Sequence, residues 1–226
     1  LKIILPEDAP RSFSGFKRMK NEDTKKMILK KALELFSESG YDAVSVGEIA
    51  RAVGIKAPSL YNHFPSKQAI FDAIVEETSK EFEKNTDEVA IHVQNSARDV
   101  TVFSKITEDD LVEKVHQIFN ISLHDENIAL FRKMMTIEQF RSDELSKLYS
   151  ERYVERIVAY HAGIFKSLIA AGELKKEDPY TLAMMYVAPI IMLIGVCDRQ
   201  PEREKECLEK IDEHVKLFYR TYNNLI

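Results

Sequence analysis

The sequence predicts an all-α protein, and three observations carry the prediction. Glycine and proline number only 7 each in 226 residues, too few for the turns of a β-sandwich. Glu, Lys, Leu, Ile and Ala dominate instead, and apolar residues recur at helical spacing along most of the chain. Helix start and stop signals punctuate that pattern, giving about nine helices in one or two domains with a sizeable buried core.

Residues 1 to 18 stand apart. The chain begins with Leu, Met19 reads as a natural start, and the segment before it is an expected N-terminal extension, native or introduced. Its short apolar run before Pro6 and Glu7 makes no signal peptide. From Thr24 to Ser39, an apolar stripe of Ile28, Leu29, Ala32, Leu33, Leu35 and Phe36 forms a first helix, closed by Gly40 as a C-terminal cap. Ser45 with Glu48 makes a capping box that starts a second helix, to about Val53, before Gly54 turns the chain. A third segment opens near Lys56 with Pro58 in its first turn, where the missing N–H has no partner to lose, and ends at Pro65. Ser66 caps a fourth helix running through Ile70, Ile74 and Phe82. Two short helices joined by a glycine turn and braced by a longer one are the layout of a helix-turn-helix. Residues 19–67 are therefore expected to form one domain and residues 68–226 a second.

Residues 85 to 106 read as helix, loop or both. Beyond them, Thr107 with Asp110 opens a helix to about His124, another covers Glu126 to Phe140, and a long one runs from Ser142 to Ala171 and stops at Gly172. Asp178 followed by Pro179 combines a side-chain cap with a pre-set dihedral. It leads into "PYTLAMMYVAPIIMLIGVC", 19 residues without a charge. That length reaches the lower range of a membrane span. However, Pro189 and Gly195 lie inside it and no basic flank precedes it, so the expectation is a helix buried by partner helices, with no membrane role. Pro201 begins a last amphipathic helix to about Tyr222.

The net charge of −5 argues, taken whole, against a nucleic-acid partner. Its distribution argues otherwise: residues 1 to 67 carry 12 Lys/Arg against 8 Asp/Glu, and the remainder carries 20 against 29. A basic head on an acidic body points to different partners for the two parts. Cys197 and Cys207 read as free thiols of a protein in a reducing compartment, the cytoplasm. The sequence holds no P-loop, dinucleotide-binding, nucleophile-elbow, H-E-x-x-H or C-x-x-C pattern, so no catalytic residue, cofactor or metal is expected. His124, Asp125 and Glu126 are consecutive at a helix boundary and point in different directions, which does not make a metal site. His92, His116, His161 and His214 read as core or surface residues.

The segment "GIKAPSLYNHFPSK", Gly54 to Lys67, is the most informative. A helix that reads DNA presents short polar and aromatic side chains, because long flexible ones lose more rotamer entropy on ordering. Ser59, Tyr61, Asn62 and His63 meet that requirement, while Lys56 and Lys67 at its ends suit phosphates. An ordinary helical turn whose aromatics fill a core is the competing reading of these residues. From Lys25 to Phe71 the chain resembles the DNA-binding domain of the tetracycline-repressor (TetR) family, in the "A..LF...G" pattern of the first helix, the "SVGEIA..VG" of the second, and "PSLYNHFPSK". The resemblance implies that Ser45 and Val46 meet phosphate at the start of the second helix. It places Lys56, Ala57, Ser59 and Asn62 near base edges or phosphates and brings the Pro58 ring to the DNA. Tyr61 and His63 would hold the backbone and Lys67 would reach a phosphate, leaving Leu60 and Phe64 in the core. Gly47 departs from the family, many members of which carry an arginine or other polar residue there, so a base contact from the second helix is missing or made otherwise. Ala57 offers only a methyl group, which leaves specificity to few side chains and to DNA shape.

The same resemblance implies a homodimer through the helices at 179–198 and 201–222, a double-stranded DNA operator as partner, and a small-molecule effector. The stripe Cys207, Leu208, Ile211, Val215, Leu217, Phe218 and Tyr222 is expected to add to the apolar surface that a second subunit covers. The middle helices are rich in aromatics and methionine, and Phe131, Met134, Met135, Tyr160, Ile164 and Met185 are the candidate walls of a pocket for an apolar or aromatic effector. The expected function is a ligand-responsive repressor. Its alternative is a helical small-molecule-binding protein or enzyme that retains the head without using it on DNA.

Overall fold

The computed structural model describes the backbone of residues 13–224 and the side chains of residues 22–224. The first twelve residues of the expected extension lie outside this range. α1 (Phe13–Ser39) starts well before Thr24, since Lys, Arg, Met and Glu upstream of that threonine are good helix formers and no proline interrupts them. α1 buries Ile28, Ala32, Leu33 and Phe36. It ends at Gly40, which has φ 81° and donates its N–H to the Phe36 carbonyl at 2.9 Å.

α2 (Val46–Val53) begins with the expected capping box and ends at Gly54, with φ 78°, whose N–H donates to the Ala50 and Arg51 carbonyls. α3 (Ala57–Tyr61) is only five residues long. The chain then passes through Asn62 and His63 in a turn, held by the N–H groups of His63 and Phe64 donating to the Leu60 carbonyl. α4 (Lys67–Glu88) is capped by Ser66, whose hydroxyl accepts the Ala69 N–H at 3.0 Å. The chain forms two compact units, one through Ile74 and one from Val75. The division falls inside α4 rather than at Lys67, because Ile70, Phe71 and Ile74 of that helix join the buried core of the first unit.

In the second unit the segment after α4 is a turn followed by α5 (Ser96–Phe103). Next come α6 (Glu108–His124), capped by Thr107, and α7 (Glu126–Glu138), capped by Asp125. The expected long helix is present as α8 (Asp143–Ser150), a π-helical turn (Glu151–Glu155) and α9 (Arg156–Ala170) in direct succession. α10 (Pro179–Arg199) starts on the Asp178 cap and carries Pro189 inside it. A 3-10 turn (Pro201–Arg203) leads into α11 (Glu204–Tyr222). α9 and α10 make the most extensive helix pair, with α5 on α9 and α11 against α10 and α6. Gly163 permits the α5–α9 approach: a Cβ there would stand 3.0 Å from Ser96 Cβ and closer still to its hydroxyl.

Two polar ties brace this unit. Arg132 of α7 grips Asp198 of α10 bidentately, both contacts at 2.6 Å, and donates its remaining amino group to the Ser122 carbonyl of α6. Arg152 in the π-helical turn donates to Ser79 of α4 and lies over the Phe131 ring, 4.7 Å from its centre.

The stripe on α11 divides. Cys207, Ile211, Val215 and Phe218 are buried against the chain's own helices, so these four offer no surface to another subunit, whereas Leu217 is 67% exposed. α10 also keeps an apolar face exposed. It is long and apolar enough to cross a membrane by length and composition, yet one face, including Leu182, Tyr186 and Ile190, is buried in the core. Its other face exposes Tyr180, Met184, Met185 and Met192.

Candidate functional site

The helix-turn-helix unit sorts its side chains by helical geometry. Leu60 and Phe64 are buried, as expected. Lys56, Pro58, Ser59, Tyr61 and Asn62 are exposed, and Ala57 and His63 are half-buried. Tyr61 keeps 53% of its surface accessible, which answers the competing reading: this ring does not fill a core. The α3 side chains thus project from a rigid turn that Leu60 and Phe64 hold from beneath.

At the start of α2 the Ser45 hydroxyl is already engaged, accepting the Glu48 N–H at 3.2 Å and donating to the Glu48 carboxylate at 2.7 Å. These donations from the Ser45 hydroxyl and N–H hold the Glu48 carboxyl below its usual range. An anion arriving here would use the N–H groups of Val46 and Gly47, which as first-turn donors have no intrahelical partner. A Cβ on Gly47 would meet only Ser45 Oγ, at 3.8 Å. The glycine is therefore not demanded by packing.

Lys67 occupies a different place from that of an outward-reaching cation. Its ammonium donates to the carbonyls of Tyr41 and Val44, at 2.8 and 2.9 Å, and sits 4.2 Å from the centre of the Tyr41 ring. It thereby pins the loop that delivers Ser45 to the head of α2.

The second unit contains a cavity of about 120 Å³. Its walls are Phe82 of α4, Ile91 and Val93 of the following turn, Phe103 of α5, one face of α6 from Lys114 to Ser122, Ile157, Tyr160 and His161 of α9, and Tyr186 to Ile194 of α10. A smaller cavity of about 40 Å³ lies between α5, α9 and the ends of α10 and α11. Of the six candidate wall residues, Tyr160 lines the larger cavity and the others line neither. Phe131, Met134, Met135 and Ile164 have no accessible surface and are core. Met185 is exposed on α10. Period and composition mark a residue as apolar and helical, but they do not say whether the space beside it is filled.

The cavity walls not anticipated from the sequence are chiefly His161 and the isoleucines of α10. His161 carried a signal, as the one basic side chain in the uncharged run from Ile157 to Phe165. Behind the wall, Tyr160 donates its hydroxyl to the fully buried Asp99, which also accepts from the His92 backbone N–H and meets the His92 ring. Burial raises the Tyr160 phenol well above its ordinary value, and the Asp99 carboxylate adds to the effect. Burial pushes His161 down to about 4, so its imidazole is neutral near pH 7.

Two family patterns match this chain. The one described as bacterial regulatory proteins of the tetR family covers residues 28–74, and the one described as the AefR-like transcriptional repressor C-terminal domain covers residues 109–224. The chain belongs to the TetR family of transcriptional regulators. Families of this kind are regulators and not enzymes. The biofilm operon icaADBC HTH-type negative transcriptional regulator IcaR of Staphylococcus aureus is 47% identical over 51 residues, 23% of this chain and 27% of its own length. This TetR-family chain therefore aligns with only about a quarter of that curated relative. The HTH-type regulator YdgC of Bacillus subtilis is 25% identical over 186 residues, 77% of this chain and 94% of its own. Among solved structures, SmeT, the repressor of the Stenotrophomonas maltophilia multidrug efflux pump SmeDEF, superposes with a TM-score of 0.62 at 20% identity, covering 91% of this chain and 93% of SmeT. SmeT has also been solved as a complex with triclosan. At that identity the likeness is one of fold.

Proposed function

We propose that this TetR-family regulator is a cytoplasmic repressor that binds an operator as a homodimer and is released when a small apolar or aromatic molecule fills the larger cavity. The observation that carries the reading is α4, one uninterrupted helix. Its first residue, Lys67, fixes the loop before α2, and its Phe82 forms part of the cavity wall. A ligand that fits only one position of Phe82 biases the position of α4, by no more than its difference in affinity for the two states.

On the DNA side, Lys56 and the first-turn N–H groups of α2 would meet phosphates. Ser59, Tyr61, Asn62 and His63, with Ala57 and Pro58, would meet bases or backbone in the major groove. Lys67 acts through the loop it holds rather than on a phosphate. The exposed face of α10, with Tyr180, Met184, Met185 and Met192, supplies the apolar surface for a second copy, and no membrane role is assigned to it. A two-fold dimer places two α3 turns on half-sites about one helical turn of DNA apart. Repression, rather than activation, is carried over from IcaR, SmeT and the name of the C-terminal domain family.

The test measures operator affinity by fluorescence anisotropy across salt concentrations, with and without an aromatic ligand that raises the melting temperature. Affinity falling steeply with salt and falling again on adding ligand is the expected result. A dimer that binds the ligand while its affinity for DNA stays unchanged would overturn the release mechanism.

A further inference from the structure

We propose that the effector is a neutral, single-ring-sized aromatic bearing one hydrogen-bond donor, a phenol-like molecule whose hydroxyl donates to Nε2 of His161. The inference rests on the larger cavity being the effector site and specifies the chemistry that site selects.

Five polar side chains border the cavity: Lys114, Ser122, Tyr160, His161 and Tyr186. Two are already committed. The Lys114 ammonium donates to the Val89 carbonyl at 2.6 Å, and the Tyr160 hydroxyl donates to Asp99. Ser122 and Tyr186 can each both donate and accept, so neither discriminates between ligands. In His161, Nδ1 lies 2.9 Å from the Ile157 carbonyl. A carbonyl only accepts, so Nδ1 carries the proton and Nε2 of the neutral ring is a bare acceptor. The ring cannot easily turn away, since Tyr160, Phe165 and Tyr186 pack around it at centroid distances of 5.0 to 6.1 Å.

The remaining wall is aliphatic and aromatic. It rewards an apolar body, and an acceptor in such a wall favours a ligand that brings a donor. Size sets the other limit. A cavity of about 150 Å³ with apolar walls holds benzene, and this one, at about 120 Å³, is smaller, which sets a single ring as the upper limit. An anionic ligand would lose its hydration in a wall whose single ammonium is already bonded to a backbone carbonyl.

Phenol and toluene make a matched pair, differing by OH against CH₃, and benzoate adds the charged case. Binding of each to the full chain is read by calorimetry, alongside the ¹⁵N shift of His161 Nε2. The expected result is phenol binding at least about fivefold more tightly than toluene and more tightly than benzoate, with the Nε2 resonance moving for phenol alone. His161→Phe, which keeps a ring in the cluster, should reverse the phenol–toluene order. Toluene binding as well as phenol, benzoate binding best, or an unmoved Nε2 resonance would overturn the assignment while leaving the cavity as the effector site. If none of the three binds, the cavity reading falls with it.

Discussion

The Lys67 ammonium donates to the carbonyl of Val44 at 2.9 Å, one residue before the cap of α2, and to that of Tyr41 at 2.8 Å. A side chain at the first turn of α4 thus sets where α2 begins. Replacing Lys67 by Met keeps the stem and removes the donors. The expected cost is about 1–3 kcal/mol of stability, with weaker operator binding and little change in the salt slope. A pure phosphate contact would behave differently: unchanged thermal unfolding and a salt slope smaller by about 1.

Tyr61 and Ser59 are exposed on α3, so the double change to Ala should leave chemical denaturation within about 0.5 kcal/mol of the parent. Operator affinity should fall by at least tenfold, about 1.4 kcal/mol. Unfolding of the double variant would instead place these residues in the core.

At Gly47 the space is open, so arginine can be added without a clash. Gly47→Arg is expected to tighten DNA binding and steepen its salt slope by about 1. Unchanged affinity would show that this turn of α2 does not face the duplex.

His161 gives a pH dependence whose sign can be worked out. Its folded value is pushed down to about 4 by burial, while an unfolded histidine titrates near 6.5. Between those values the unfolded chain takes up the proton and the folded one does not. This group's contribution to stability is therefore intact above about pH 6.5 and is lost as pH falls toward 4. Urea denaturation from pH 7 to 4.5 should show stability falling more steeply for the parent than for His161→Phe, by about 2 kcal/mol over that range. Parallel curves would mean that the imidazole is solvated.

Gly163→Ala should destabilise by about 1–3 kcal/mol, because α5 must shift where Ser96 Cβ stands 3.0 Å from the new methyl group. Ser96→Ala combined with it should recover part of that loss. A fully stable Gly163→Ala chain would show that α5 is not seated as described.

The head was legible in the sequence because local chemistry specifies it. The Ser45–Glu48 box, Gly40, Gly54 and the Pro58 turn each fix a boundary through their own dihedrals and hydrogen bonds, and Leu60 and Phe64 follow from helical period. The second unit was legible in its helices and not in its cavity. Phe131, Met134 and Met135 satisfy the same compositional test as a pocket wall and are sealed in the core. What separates them from Tyr160 and His161 is which face of each helix meets its neighbours, a tertiary fact that no local pattern encodes. The α11 stripe divides for the same reason: Cys207, Ile211 and Val215 are buried within their own chain, while Leu217 stays exposed. The carbonyl partners of Lys67 were hidden because nothing local to a lysine at the start of a helix encodes which loop it will meet.

Selection of duplexes from a random library by the full chain at about physiological salt, followed by sequencing, tests the central claim most directly. The account predicts enrichment of an inverted repeat with half-sites about one helical turn apart, lost when Ser59 and Tyr61 are replaced by Ala. A folded dimer that enriches no sequence, with and without bound aromatic ligand, would contradict it.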